Sequence, residues 1–339
     1  MARRRRLPDP RKAASRLINR PTGIAGRYRP FYFLNAFDRA RGLTLENAVR
    51  DKVVMITGAS SGIGEAAALQ LGGAGATVLL VARSADKLEA LGARIAERGG
   101  IAHPHPADLS EIDDIERMAA EVLEGHGRVD VLVNNAGKSI RRSLDLSYDR
   151  FHDFERMMRL NYFGAVRLIL AFLPGMRERG FGHIVNVSSA GVQTRVPRFS
   201  GYVASKSALD AFSECAQAEV AHDGVRFTTI HMPLVRTPMI APTKIYRSFP
   251  AIKPEEAGDW ISRAIVYQPH RIGTPFGNLA ALMSAASPTA AEAVRNTGYR
   301  LFEDSRAARG ADSDSAAAPQ ERPSALGSAF ARLTRGVHW

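Results

Sequence analysis

Eight residues near position 60 constrain the fold of this chain more than any others. Thr57-Gly58-Ala59-Ser60-Ser61-Gly62-Ile63-Gly64 follows a short apolar run, Val53-Val54-Met55-Ile56, and leads into a helix-forming stretch over 65–71. An apolar run of that length reads as a strand buried on both faces. Glycines let the main chain turn tightly and approach a ligand closely. The N–H groups of the following helix favour an anion such as a pyrophosphate. The bland alternative is a plain strand-to-helix turn. The spacing Gly-x-x-x-Gly-x-Gly also differs from the Gly-x-Gly-x-x-Gly of other dinucleotide folds.

The rest of the chain repeats the same alternation. Strands are predicted over 53–56, 77–82, 102–107, 129–133, 183–187 and 225–231. Helices are predicted over 65–71, 85–97, 111–124, 151–175 and 202–221, with another opening at Pro254 and helix over 279–301 broken at Pro288. Alternation of this kind implies an α/β fold, a Rossmann-type doubly wound parallel sheet with helices on both faces. Ligands in such sheets bind beyond the carboxyl ends of the strands. The candidate sites lie just after strands or open helices, so they converge there.

Tyr202-x-x-x-Lys206 is the strongest candidate for chemistry. Four residues apart on a helix, the two side chains share one face. A free phenol is too weakly acidic for catalysis at neutral pH, and a nearby ammonium favours the phenolate and lowers its pKa. The pair could then exchange a proton with a carbonyl oxygen. Alone the spacing is a weak signal. Here Ser189 stands thirteen residues upstream, at the end of the strand-like Ile184-Val185-Asn186-Val187. Ser188 competes with it.

Thr57 to Gly64, Asn134-Asn135-Ala136-Gly137, Ser189 and Tyr202-x-x-x-Lys206 together resemble the short-chain dehydrogenases/reductases, over roughly residues 50–275. The resemblance implies that Asn161 completes an active-site tetrad with Ser189, Tyr202 and Lys206. Tyr202 would donate the proton, and Lys206 would depress its pKa and bind the nicotinamide ribose. Ser189 would hydrogen-bond the substrate oxygen, and Asn161 would hold a water of a proton relay. The cofactor would meet Gly58, Ser60, Ser61, Gly62, Ile63 and Gly64. Asp108 and Leu109 would flank the adenine. Asn135 would be structural, while Ala136 and Gly137 line the cofactor. Pro233, Val235 and Thr237 match the stretch contacting the nicotinamide amide, although this chain has Pro233-Leu234 where the family has Pro-Gly. Enzymes that use NAD place an acid at the end of the second strand. This chain has Arg83-Ser84, and a guanidinium beside a hydroxyl suits a 2′-phosphate, so NADPH is the expected cofactor. An exposed surface Arg is the alternative. A homo-oligomer is expected.

The substrate reading rests on a second stretch. His231-Met232-Pro233-Leu234-Val235-Arg236-Thr237-Pro238-Met239-Ile240-Ala241-Pro242-Thr243 is similar to bacterial fatty acyl-CoA reductases of the same superfamily, which form aldehydes. That similarity implies hydride transfer to a thioester carbonyl, Ser189 and Tyr202 stabilising the oxyanion, and loss of coenzyme A from the hemithioacetal. A lid over 238–254 offers Met239, Ile240, Ile245, Tyr246 and Phe249 to an acyl chain, and Lys244 and Arg247 to phosphates. A lid that simply closes on the body is the alternative. Two rivals remain: a ketone/alcohol dehydrogenase of 3-oxoacyl or hydroxysteroid type, and a non-catalytic nucleotide-sensing scaffold.

Composition narrows the setting. Cys215 is the one cysteine of 339 residues, which excludes an intramolecular disulfide and suits a reducing, cytoplasmic compartment. It lies thirteen residues beyond Tyr202, roughly 20 Å along a helix, too far to accept the acyl group. The nine His show no metal spacing, and His103-Pro104-His105 reads as a loop. The formal net charge of +12 is concentrated in residues 1–50. They hold thirteen Arg or Lys against three Asp or Glu, a surplus of ten, leaving two for the other 289. Residues 1–45 thus form a basic extension beginning Arg3-Arg4-Arg5-Arg6. It is either a solvated tail or a peripheral contact with an anionic membrane surface. No motif supports nucleic-acid binding. Phe31, Tyr32, Phe33, Leu34 and Phe37 would close on the body or meet lipid. The enzymatic body is placed at 46–303. Residues 304–339 are expected to be mostly disordered, with an apolar face of Leu326, Phe330, Leu333 and Val337.

Overall fold

The computed structural model describes residues 42–241, 243, 246, 249–305, 307–309 and 327. The basic arm, the aromatic cluster, the terminal amphipathic stretch, and Lys244, Ile245 and Arg247 lie outside the described residues.

After a short helix, α1 (Leu45–Val49), the chain alternates strand and helix: β1 (Val53–Thr57), α2 (Gly62–Gly73), β2 (Thr77–Ala82), α3 (Ala85–Ala96), β3 (Ile101–Pro106), α4 (Ile112–His126) and β4 (Val131–Asn134). Next come α5 (Phe151–Met158), a π-helical stretch (Arg159–Gly164), α6 (Ala165–Arg179) and β5 (Gly182–Ser189). They are followed by α7 (Ala190–Thr194), α8 (Ser200–Val220), β6 (Val225–Met232), α9 (Pro254–Tyr267), β7 (Arg271–Ile272), α10 (Pro275–Ala286) and α11 (Pro288–Leu301).

The strands form one sheet in the order β3-β2-β1-β4-β5-β6-β7. Every pairing is parallel. This is the doubly wound arrangement that the alternation predicted. The order reverses between β1 and β4, which opens a crevice above their carboxyl ends. All five residues of β1 are buried, as a strand covered on both faces requires. One face of the sheet joins Ile56, Leu80 and Val187 to Leu71, Ala264 and Trp260 of α2 and α9. The other joins Met55, Leu79 and Ile184 to Ile115, Leu168 and Phe172 of α4 and α6. A third apolar cluster holds Tyr202, Leu234, Tyr246, Phe249 and Phe302.

Three places differ from the sequence reading. His103-Pro104-His105 lies on β3, not in a loop. Proline has no N–H to give a ladder, and β3 is an edge strand with one free side, so Pro104 and Pro106 are tolerated. The helix predicted over 151–175 is divided by the π-helical stretch. A Cβ on Gly164 would sit 2.2 Å from the Leu109 carbonyl oxygen. Only glycine lets the helix approach the loop after β3 so closely, and the extra residue of a π turn re-aims Asn161 inward. Finally, residues 304, 305 and 307–309 continue past the boundary drawn at 303. Asp304 accepts the Ser143 N–H at 3.0 Å and pairs with Arg198 at 3.3 Å.

Candidate active site

The turn after β1 and the loop after β4 are locked together by Thr57 and Asn135. The Thr57 hydroxyl oxygen accepts the N–H groups of Asn135 and Ala136, each at 2.9 Å. The Asn135 amide donates back to the Thr57 carbonyl at 2.9 Å. A Cβ on Gly64 would lie 2.3 Å from the Gly58 carbonyl oxygen, so α2 can begin immediately against the turn only with glycine there. Ser61 caps α2 without a side-chain hydrogen bond, which leaves the first N–H groups of that helix available to a ligand. Ser60 and Ile63 complete this turn, and the Thr237 methyl stands where a Gly62 Cβ would meet it at 2.9 Å. The turn after β6 therefore faces the glycine turn across the crevice. Val235 bridges to Ile252, beside Pro233 and Leu234. Leu234 is fully buried in the apolar cluster with Tyr202 and Tyr246, so the departure from Pro-Gly fills space under the lid.

Arg83 and Ser84 follow β2. The Arg83 side chain is 78% exposed, and its Nη1 is 3.8 Å from Asp108 Oδ2. Ser84 caps α3 with no side-chain bond to the helix. Asp108 accepts the Ser110 N–H at 2.9 Å, beside buried Leu109.

The four tetrad candidates converge. Asn161 is 1% exposed. Its Oδ1 accepts the Lys138 N–H at 2.8 Å, and its Nδ2 donates to the Lys138 carbonyl and the Ser205 hydroxyl, both at 2.9 Å. Asn161 thus clamps the loop that carries Ala136 and Gly137. Ser189 ends β5, and its hydroxyl accepts the Gly191 N–H at 3.0 Å, capping α7. Ser189 is also hydrogen-bonded to the Tyr202 hydroxyl. Lys206, one turn beyond Tyr202 on α8, donates to the Val187 carbonyl at 2.8 Å. Ser188, the competitor, is buried with no hydrogen-bond partner for its hydroxyl among the described residues.

Burial and charge act on both members of the pair. Burial raises the Tyr202 hydroxyl above the ordinary phenol value, the Ser189 hydrogen bond opposes that, and the charge of Asp210 adds to it. Burial also lowers the Lys206 ammonium to about 8, against the pull of Asp210. Burial is the largest of these effects on Tyr202, and Lys206 is not among the groups that shift it. Tyr202 accordingly carries its proton at neutral pH.

A cavity of about 50 Å³ opens beside the Tyr202 ring, lined by Ser139, Arg141, Phe199, Ile240 and Tyr246 among others. It has room for a few water molecules. The described residues of the lid are tied to their surroundings. Arg236 donates to the carbonyls of Tyr246 and Phe249, both at 2.7 Å, and the Phe249 ring lies 5.4 Å from that of Phe302. Met239 remains 48% exposed at the rim. Arg141, Lys138 and Arg236 escaped the sequence reading. Only Arg236 carried a signal, its place inside the stretch from His231 to Thr243.

A parallel doubly wound sheet with a glycine turn at its switch point and a Tyr–Lys pair above β5 defines an oxidoreductase of the nicotinamide-dependent kind. A short chain dehydrogenase family model matches residues 52–245, and the chain belongs to that family. An oxidoreductase of Mycobacterium tuberculosis is 54% identical over 336 residues, 98% of this chain and 97% of the relative. A fatty acyl-CoA reductase of Acinetobacter baylyi is 50% identical over 291 residues, 86% of this chain and 96% of the relative. Among solved structures, a metagenomic short-chain oxidoreductase in complex with NADP superposes with a TM-score of 0.58 at 33% identity, covering 67% of this chain and 97% of that one.

Proposed function

We propose that the protein reduces long-chain fatty acyl-CoA to fatty aldehyde with NADPH. One observation carries the reading: the buried Tyr202 hydroxyl, hydrogen-bonded to Ser189, borders a cavity lined by the side chains of Ile240 and Tyr246. The similarity to the Acinetobacter baylyi fatty acyl-CoA reductase supports a thioester substrate. Arg83 and the uncapped start of α3 at Ser84 fit a 2′-phosphate, and the NADP bound by the metagenomic relative supports the same choice.

A reduced nicotinamide supplies a hydride to the carbonyl carbon when bound. Gly58 to Gly64 and the start of α2 would hold its pyrophosphate. Thr237, Val235 and Pro233 would border its amide, and Lys206 its ribose. Ser189 and Tyr202 hold the carbonyl oxygen, and the Tyr202 hydroxyl gives that oxygen its proton as negative charge builds. The carbon–sulfur bond of the resulting hemithioacetal then breaks, the hydroxyl proton leaves, and the thiolate of coenzyme A takes up a proton. Cys215 is exposed on α8, nine residues beyond Lys206, about two and a half turns, and takes no part. The tight Ile240–Tyr246 roof means that an acyl chain enters only after the lid shifts.

A second reading follows from the cavity itself. At about 50 Å³ it suits a small ketone without lid movement, so a ketone/alcohol dehydrogenase is the rival. A panel of acyl-CoAs and ketones with NADPH, monitored for both NADPH loss and free thiol, separates them. Thiol released in step with NADPH oxidation is the expected result. Turnover of ketones alone would overturn the acyl-CoA reading.

A further inference from the structure

The helix that carries Tyr202 and Lys206 carries a buried carboxylate in line with them. Asp210 follows Lys206 by four positions and Tyr202 by eight on α8, so the three occupy one stripe of that helix. Asp210 is 8% exposed, where a lone carboxylate is costly. Its partner comes from the sheet. His231, near the end of β6 and 2% exposed, places Nε2 at 2.7 Å from Asp210 Oδ2. A carboxylate only accepts, so the imidazole proton sits on Nε2. His231 is in register with Ser188, next to Ser189, which sets the imidazole at the level of the candidate active site. Asp210 Oδ1 and His231 Nδ1 have no partner among the described residues, so the ion is held from one side only.

We propose that Asp210, oriented by His231, is a positioning residue that sets a fixed negative charge behind the Tyr202–Lys206 pair and holds both groups protonated for reduction. This inference rests on the reading of Tyr202 as proton donor. Reduction needs a phenol that still has its proton and an ammonium beside it. A nearby negative charge favours the protonated state of both. Asp210 is the carboxylate whose charge acts upward on both groups, opposing the burial that brings Lys206 down to about 8. From the lid and the loop after β4, Tyr246 and Arg141 face the Tyr202 side. One turn further along α8, Glu214 is exposed and bound to Arg271 of β7. Neither arrangement replaces Asp210 behind Lys206.

The test is the pH dependence of kcat for NADPH-driven carbonyl reduction by the full chain. A group that must be protonated gives an alkaline limb. In Asp210→Asn that limb should move to lower pH by about one unit, and Asp210→Glu should restore it. His231→Leu, which strips the carboxylate of its donor, should shift the limb the same way, and His231→Gln, which can still donate, should shift it less. An unmoved or upward-moved limb in folded Asp210→Asn overturns the proposal. Should that variant not fold, an unmoved limb in folded His231→Leu overturns it equally. Tyr202→Phe distinguishes the failures. If it keeps wild-type turnover, the proton-donor reading falls. If it is inactive while the Asp210→Asn limb stays put, only the role of Asp210 falls.

Discussion

Desolvation and hydrogen bonding pull the Tyr202 hydroxyl in opposite directions, and desolvation wins. A phenol held above its ordinary pKa is a poor base and a well-prepared donor, which suits the reductive direction. Replacing Tyr202 by Phe removes one oxygen from a buried site, and the neighbouring Ser189 keeps its own bond from the Gly191 N–H. We expect Tyr202→Phe to bind NADPH within about threefold of wild type while kcat falls by at least about a hundredfold, the scale of general-acid catalysis. Steady-state kinetics beside cofactor titration checks it, and wild-type kcat would reject the donor assignment. Arg83 poses a different question, because its side chain is 78% exposed and leans toward Asp108 across 3.8 Å. If it holds a 2′-phosphate, Arg83→Asp should raise the KM for NADPH and lower that for NADH, changing their ratio by at least tenfold, about 1.4 kcal/mol. An unchanged ratio would leave Arg83 a surface residue.

At the scale of elements, the sequence was most legible where backbone chemistry leaves few options. The glycine turn, the six main strands and α8 follow from apolar runs, glycine spacing and an uninterrupted helix-forming stretch. The π turn that aims Asn161 inward was not legible, because nothing in the local pattern reveals that Gly164 meets the Leu109 carbonyl. β7 was missed because two residues make no periodicity. The lid illustrates the same limit. Its apolar composition marked 238–254 as a cover, but what holds that cover lies outside it, in Arg236 just before it and Phe302 far along the chain. Arg236 forks between the Tyr246 and Phe249 carbonyls at 2.7 Å each, bonds that a single ammonium cannot make together with the same geometry. Arg236→Lys should therefore loosen the lid that an acyl chain must displace, lowering KM for an acyl-CoA by about tenfold, the worth of one charged hydrogen bond, with KM for NADPH nearly unchanged. Equal effects on both constants would show that Arg236 supports the whole crevice and not the lid.

At the scale of the molecule, the sheet carries a titratable group in its middle. His183 of β5 is fully buried between β4 and β6, and burial lowers its pKa to about 3. The Thr228 hydroxyl spends its hydrogen on the Pro269 carbonyl at 2.6 Å, so it must accept from His183 Nε2 at 2.9 Å. The proton is thus on Nε2, and Nδ1 is left with no acceptor within reach among the described residues to receive a second one. In the unfolded chain the same imidazole titrates near 6.5, so between that pH and about 3 the unfolded state binds a proton that the native state refuses. The neutral-pH stability is complete above the unfolded value and is lost as pH falls, at about 1.4 kcal/mol per unit well below 6.5. His103, His105 and His126 cluster at the β3 edge, where burial lowers His105 and His126 in the same sense, so acid sensitivity of the wild type alone does not isolate His183. The comparison with His183→Gln does. A glutamine can still donate to Thr228 but never gains charge, so it carries a constant packing penalty and no pH slope. Denaturant unfolding should find the variant less stable at pH 7.5, with the gap to wild type narrowing by about 2 kcal/mol by pH 5. Parallel stability curves for the two proteins would mean that His183 takes up its proton inside the folded sheet.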